Sequence, residues 1–238
     1  MSAKHFHFVT LFPEVIQAWM HTSILGRAAQ KGVFESSVYQ LRDFATDKYR
    51  SVDDVAYGGG GGMVLKVECL VAAIDFIKSK IAPETPRVIY FSPVGTPWSH
   101  HQIPRFLAPS MAKHLILVCG HYEGVDQRFV DHWVDEEISL GDFVLTGGEL
   151  PALAFADSLS RHLEGTLKGP DSFHQESFSL GDTQRPLLEY PHYTRPAEFQ
   201  GHPVPEVLMS GDHEKISEWR KQQSLKRTQA KRPDLLRN

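Results

Sequence analysis

Short apolar runs separated by segments of helical period constrain this chain more than any other feature. Phe6 to Phe12 (FHFVTLF), Arg87 to Phe91 (RVIYF) and Leu115 to Cys119 (LILVC) are each one strand long, and they meet turn formers at Pro13, Ser92-Pro93 and Gly120. After the first run, Val15, Ile16, Trp19 and Met20 recur at helical spacing. Val33 to Leu41 reads as a further strand, Glu68 to Lys80 as an amphipathic helix, and Val125 to Trp133 as another helix. Phe143 to Leu145 reads as a short strand, and Pro151 to Leu163 as a helix with proline in its first turn. Strands alternating with helices predict an α/β fold around a mostly parallel sheet.

The pattern changes after about Gly165. Leu167 to Pro196 holds Pro170, Gly181, Pro186, Pro191 and Pro196 with little periodicity, which predicts an extended or mobile linker, followed by a second, small domain. There Asp212 can cap a helix whose Ile216 and Trp219 face a core, with Arg220, Arg227 and Lys231 on one side. From Trp219 to Asn238 seven basic residues stand against Asp234 alone, a net of +6 that suits phosphate contacts. From His121 to Leu150 eight acids stand against Arg128, a net of −7, which reads as a solvated surface or as an attraction for a cationic ligand or metal. A net charge of −4 conceals both segments.

With 14 Phe, 4 Trp and 41% hydrophobic residues in 238, dominant disorder is excluded. No run approaches the roughly 20 apolar residues of a membrane span, and the start lacks the apolar core of a signal peptide, so a cytoplasmic protein is expected. Cys69 and Cys119 fit reduced thiols better than a disulfide framework.

Three strand-end segments carry the strongest chemical signal: Tyr90-Phe91-Ser92-Pro93, Gly120 to Gly124 (GHYEG), and Ser139 to Glu149 (SLGDFVLTGGE). Ligands of parallel α/β sheets lie beyond the carboxyl ends of strands, and glycine loops there can hold a planar base by backbone groups between Leu140, Phe143 and Leu145. The plainer reading is that these glycines only permit tight turns. Gly58 to Gly62 lacks the Gly-Lys-Ser/Thr of a phosphate loop and reads as a flexible or functional loop. The thirteen histidines show no HExxH and no His/Cys quartet, so no histidine metal site is expected. Asp171 is an acid in the linker after a helix that carries Arg161, either a turn-capping residue or a catalytic group delivered by a loop.

The motifs LFPE (Leu11 to Glu14), VDD-x-x-YGGG (Val52 to Gly60), LVCGHYEGVD (Leu117 to Asp126), GDFVLTGGELPA (Gly141 to Ala152), DSF (Asp171 to Phe173) and PHYTRP (Pro191 to Pro196), continued by SLKRT and KRPDLL, resemble the bacterial tRNA (guanine-N1)-methyltransferases of the SPOUT superfamily over nearly the whole chain. The resemblance implies methylation of N1 of the guanosine at position 37 of tRNA, beside the anticodon, from S-adenosylmethionine. It implies a SPOUT-type domain with a deep trefoil knot over residues 1–166, a flexible linker over 167–183, and a small helical tRNA-binding domain over 184–238, in a homodimer without membrane contact. The cofactor would lie against Tyr90, Phe91, Ser92, Pro93, Gly120, Tyr122, Glu123, Gly124, Ser139, Leu140, Gly141, Asp142, Phe143, Val144, Leu145, Gly147 and Gly148. Asp171 and Arg161 would be the catalytic residues. Mg²⁺ is implied, with Glu123 a candidate contributor and its other ligands unassigned. His121 stands where many relatives have arginine, and the chain stops soon after KRPDLL, short of the extra tail of some members.

Two other readings remain: a SPOUT enzyme acting on another RNA such as rRNA, and a non-enzymatic RNA-binding module. An activity screen across RNAs separates the first, and binding of S-adenosylmethionine tells against the second.

Overall fold

A computed structural model describes residues 3–169, 175–181 and 185–236. The chain divides into two units, Met1–Lys168 and Gly169–Asn238.

In the first unit five strands form one parallel sheet: β1 (Lys4–Thr10), β2 (Phe34–Gln40), β5 (Arg87–Pro97), β6 (His114–Val118) and β7 (Glu136–Ser139), in the order β2-β1-β6-β5-β7. Parallel neighbours need crossovers, and the chain supplies helices for them on both faces. Phe6, Phe8, Ile89, Leu115 and Leu117 point to one face, under α1 (Pro13–Met20), α2 (Ser23–Gln30), α4 (Ile103–Leu107) and α6 (Glu149–Ser160). Val9, Val88, Ile116 and Val118 point to the other, under α3 (Val67–Ile81) and α5 (Gln127–Trp133). Because strand side chains alternate, one apolar run feeds two cores. A two-stranded hairpin, β3 (Asp53–Val55) with β4 (Met63–Leu65), carries the glycine run at its tip.

Several expected boundaries move. The strand expected to stop at Ser92-Pro93 runs on to Pro97, with a register shift against β7 between Phe91 and Thr96. A Cβ on Gly95 would come within 2.6 Å of the Ile138 backbone, so only glycine lets β7 pass there. The expected strand over Phe143 to Leu145 does not form; Val144 is 82% exposed and has no strand beside it. The strand lies instead at β7, where Glu136-Glu137 hid it. Arg87 and Arg105 pair with Glu136, and the Ser92 hydroxyl donates to Glu137 at 3.0 Å, so both acids are matched at the sheet edge. The acidic stretch is therefore not a plain solvated surface. Asp135 also accepts from the Val88 N–H at 2.7 Å, and Asp126 caps α5.

In the second unit, β8 (Leu180–Gly181) pairs antiparallel with β9 (Pro186–Leu187) inside the stretch 167–196 that was expected to be extended or mobile, and β10 (Glu198–Phe199) pairs with β11 (His202–Pro203) beyond it. α7 (Glu206–Met209) precedes α8 (His213–Lys231). Asp212 caps α8 by accepting from the Lys215 N–H at 3.1 Å. Ile216 and Trp219 are only half-buried; the buried positions of α8 are Ser224 and Thr228. The Leu188 N–H donates to Thr228 Oγ1 at 2.9 Å, so a polar anchor does what an apolar face was expected to do.

Candidate functional site

β6, β5 and β7 are adjacent and parallel, so their carboxyl ends share one edge of the sheet. The segments that leave them close around one cavity, lined by Tyr90–Pro93, Gly120–Gly124, Ile138–Gly141, Phe143–Gly148 and Pro151. Every residue expected there lines it except Asp142. The Phe143 N–H returns to the Gly141 carbonyl at 2.9 Å, and the central residue of that three-residue turn projects into solvent. His121, Ile138, Thr146 and Pro151 line the cavity as well. Ile138 belongs to β7, a strand the sequence pattern placed at 143–145 instead, whereas Pro151 stands in the first turn of α6, the helix expected there.

Backbone contacts fix the loops to one another. The Gly148 N–H donates to the Gly120 carbonyl at 2.8 Å, and His121 and Gly147 form an antiparallel bridge. The Glu123 N–H donates to the Met63 carbonyl at 2.9 Å and the Leu65 N–H to the Gly124 carbonyl at 3.0 Å, which holds β4 against the second loop. The glycine run thereby comes beside the cavity rim, where a Cβ on Gly62 would collide with the Glu123 carboxylate. Tyr122 holds a left-handed backbone (φ 60) at the mouth, a strained conformation of the kind that clusters at functional sites.

Below the loops lies a buried polar network. His121 Nε2 sits 2.9 and 2.8 Å from the two oxygens of Glu149, a residue only 6% exposed, and Thr10 donates its hydroxyl to Glu149 Oε1 at 2.5 Å. A carboxylate only accepts, so Nε2 carries the proton. Burial and the Glu137 charge push the Tyr90 phenol up to about 12, against an opposing hydrogen bond from the Val125 backbone, so it stays a neutral donor on the cavity wall. Burial, with Glu149, pushes the Cys119 thiol well above its ordinary value.

Of the expected catalytic pair, Asp171 lies outside the described residues, as does Phe173 beside it. Arg161 is the half-buried C-cap of α6 and does not line the cavity. It stands ten positions along α6 from Pro151, the residue of that helix on the cavity wall, about 15 Å at 1.5 Å per residue. On α8 of the second unit Arg220, Arg227 and Lys231 are exposed, and the Arg220 guanidinium lies 4.8 Å from the centroid of the Tyr190 ring.

Away from the cavity, the structure brings together three residues that the sequence left scattered: His5, His7 and His114, at the opposite end of the strands. Burial and the two neighbouring imidazoles push His7 down to about 3. No spacing rule reveals such a cluster, because the contact spans 107 residues.

Comparison with known proteins bears on the whole chain. Residues 4–238 match the family model described as tRNA (Guanine-1)-methyltransferase TrmD. The tRNA (guanine-N(1)-)-methyltransferase of Clostridioides difficile is 46% identical over 230 residues, covering 97% of this chain and 96% of the relative. That of Brevibacillus brevis is 49% identical over 227 residues (95% and 89%), and that of Burkholderia mallei 48% over 238 residues (99% and 87%). Since the match runs unbroken through the sheet, the cavity loops and the basic helix, this chain belongs to the tRNA (guanine-1)-methyltransferase family.

Proposed function

We propose that this protein transfers a methyl group from S-adenosylmethionine to N1 of the guanosine at position 37 of tRNA. The carrying observation is the convergence of three strand-end loops on one cavity in a chain that matches its family from residue 4 to 238. S-adenosylmethionine, when bound, supplies an electrophilic methyl on a sulfonium sulfur. The lining fits it: glycine-bearing 120–124 and 139–148 loops whose backbone can approach an adenine edge, Leu140, Phe143 and Leu145 as apolar walls, and Gly120 and Gly141, where a Cβ would press on the Tyr90 and Phe143 rings of the wall. Holding the acceptor in line with the methyl is most of the catalysis.

Guanine N1 carries a proton that must leave as attack proceeds. Asp171 accepts it, being ionised at neutral pH, and the Arg161 guanidinium stabilises charge growing on O6. Glu123 is the only carboxylate on the cavity wall among the described residues, and so the one candidate ligand there for Mg²⁺, which commonly needs few protein ligands. The basic face of α8 meets the phosphates of tRNA, and the segment 167–183 joins a cofactor domain over 1–166 to a helical tRNA-binding domain over 184–238. The chain passes through itself in a trefoil knot where the 120 and 148 loops touch, a reading supported by their backbone contacts.

The protein acts as a homodimer. Arg161 lies one helix length from the cavity of its own chain, which suits service to the cavity of a second copy. Phe12, Val15, Trp19 and Leu150 leave an apolar face exposed on and beside α1 and the start of α6.

The test is methyl transfer from labelled S-adenosylmethionine to purified tRNA carrying guanosine or adenosine at the target position. Transfer to the first alone is expected; transfer to both, or to rRNA in preference, overturns the reading. Asp171→Asn should slow single-turnover transfer by about 10²-fold or more with little change in binding, and an unchanged rate removes it as the base.

A further inference from the structure

We propose that His5, His7 and His114 form a binding site for one late first-row divalent transition-metal ion, separate from the methyl-transfer cavity. His5 and His7 are two residues apart on β1 and so share a face of the sheet, and the parallel register sets His114 of β6 directly beside His5. His7 is 2% and His114 7% exposed, and one ligand nitrogen from each of the three rings falls within a span of 4.8 Å. Buried imidazoles are costly unless each ring nitrogen has a partner. Three together on one face are what a nitrogen-ligated cation requires.

The distances are those of a ligand pair. His7 Nε2 lies 2.9 Å from His114 Nδ1. With metal–nitrogen bonds of about 2.0–2.1 Å, two ligands at a right angle stand about 2.9 Å apart and at a tetrahedral angle about 3.3 Å apart. Outer partners already orient both rings, as metal-bound histidines require. His114 Nε2 is 3.0 Å from the Glu84 carboxylate, which only accepts, so Nε2 carries the proton and the Nδ1 lone pair faces inward. His7 Nδ1 is 3.3 Å from the Tyr39 hydroxyl.

Without metal, His7 Nε2–H donates to His114 Nδ1. On binding, the His7 proton moves to Nδ1, facing Tyr39 Oη, and Nε2 takes the ion, with no net proton released. His5 completes the set when one of its nitrogens exchanges its present partner, the Ser37 hydroxyl at 2.8 Å or the Glu35 carboxylate at 3.4 Å. Imidazole nitrogens suit Zn²⁺, Ni²⁺ and Cu²⁺ and do not suit Mg²⁺ or Ca²⁺.

Calorimetric titration of the untagged, chelator-stripped full chain with Zn²⁺, Ni²⁺ and Cu²⁺ in turn tests the site. At least one ion should bind at one per chain and raise the melting temperature. His114→Asn should remove that site, and Glu84→Gln should weaken it about 10–100-fold while leaving the methyl-transfer rate unchanged. If His114→Asn does not fold, His5→Gln at the half-buried rim takes its place. Absence of binding by all three ions overturns the proposal. So does binding of equal affinity and stoichiometry in the variants, which would place the ion on the remaining histidines.

Discussion

Gly148→Ala adds one methyl at the point where two cavity loops touch. The new Cβ would stand 2.6 Å from the Gly120 nitrogen and 2.7 Å from the Cys119 Cα, both backbone atoms that no side-chain rotation can move aside. Ordinary contact begins near 3.4 Å, so the loops must separate by about 0.7–0.8 Å, which lengthens the 2.8 Å bond from the Gly148 N–H to the Gly120 carbonyl. Overpacking of this kind costs typically about 1–3 kcal/mol. In a unit of this size that lowers the melting temperature by about 2–4 °C per kcal/mol. Because both loops line the cavity, cofactor binding also bears the displacement, and at about 1.4 kcal/mol per tenfold the affinity for S-adenosylmethionine should fall by about 10–100-fold. Calorimetry on wild type and variant measures the affinity, and urea unfolding measures stability. Gly61→Ala is the control, since its Cβ meets nothing within 4 Å and its backbone is not left-handed. A folded Gly148→Ala that binds S-adenosylmethionine as the wild type does would show that these loops do not form the cofactor site.

Neutralising Arg220, Arg227 and Lys231 together should flatten the slope of log tRNA affinity against log salt by about 2–3, at about 0.7–0.9 per charge engaged; an unchanged slope takes this face off the RNA. The fold holds Tyr90 as a neutral phenol up to about pH 12, whereas an unfolded tyrosine ionises near 10, so the folded state binds more protons in that window. Its contribution to stability is complete below about pH 10 and is lost as pH rises toward 12, so urea midpoints of wild type should drop more steeply between about pH 10 and 12 than those of Tyr90→Phe. Cys69 and Cys119 are both buried with raised thiol pKa, and alkylation at pH 8 should proceed only at the rate of unfolding; fast labelling of native Cys119 would contradict its packing beneath the cavity.

Sequence periodicity reaches as far as apolar continuity does. β1 and β6 were legible because their residues feed both cores, and α3 because its apolar stripe is uninterrupted. β7 was not, since half of it is glutamate, and only neighbouring strands and helices supply the Arg87, Arg105 and Ser92 partners that make those carboxylates tolerable in a strand. Phe143-Val144-Leu145 has strand composition yet lines the cavity as irregular chain, which shows tertiary context overriding propensity. The Ser224 and Thr228 side of α8 is invisible to a search for apolar stripes.

The same alternation that builds the two cores also divides the chemistry between the two ends of the sheet. At the carboxyl ends the strands run into glycine-bearing loops, so the cavity there is walled mostly by loop residues. That suits a nucleoside edge and is readable from glycine-bearing loops in a row. At the amino ends the offered groups are side chains, His5 and His7 from one strand and His114 from its neighbour, ordered by Ser37, Tyr39 and Glu84 around them. Such a set has no local signature: its members are unremarkable in their own segments and meet only through the register of β1 on β6. A cavity made of loops was therefore foreseeable from one strand end to the next, whereas a cluster made of strand side chains required the pairing itself. The two are separable by experiment for the same reason: metal-site variants alter side chains at one end of the strands and leave the backbone cradle at the other intact.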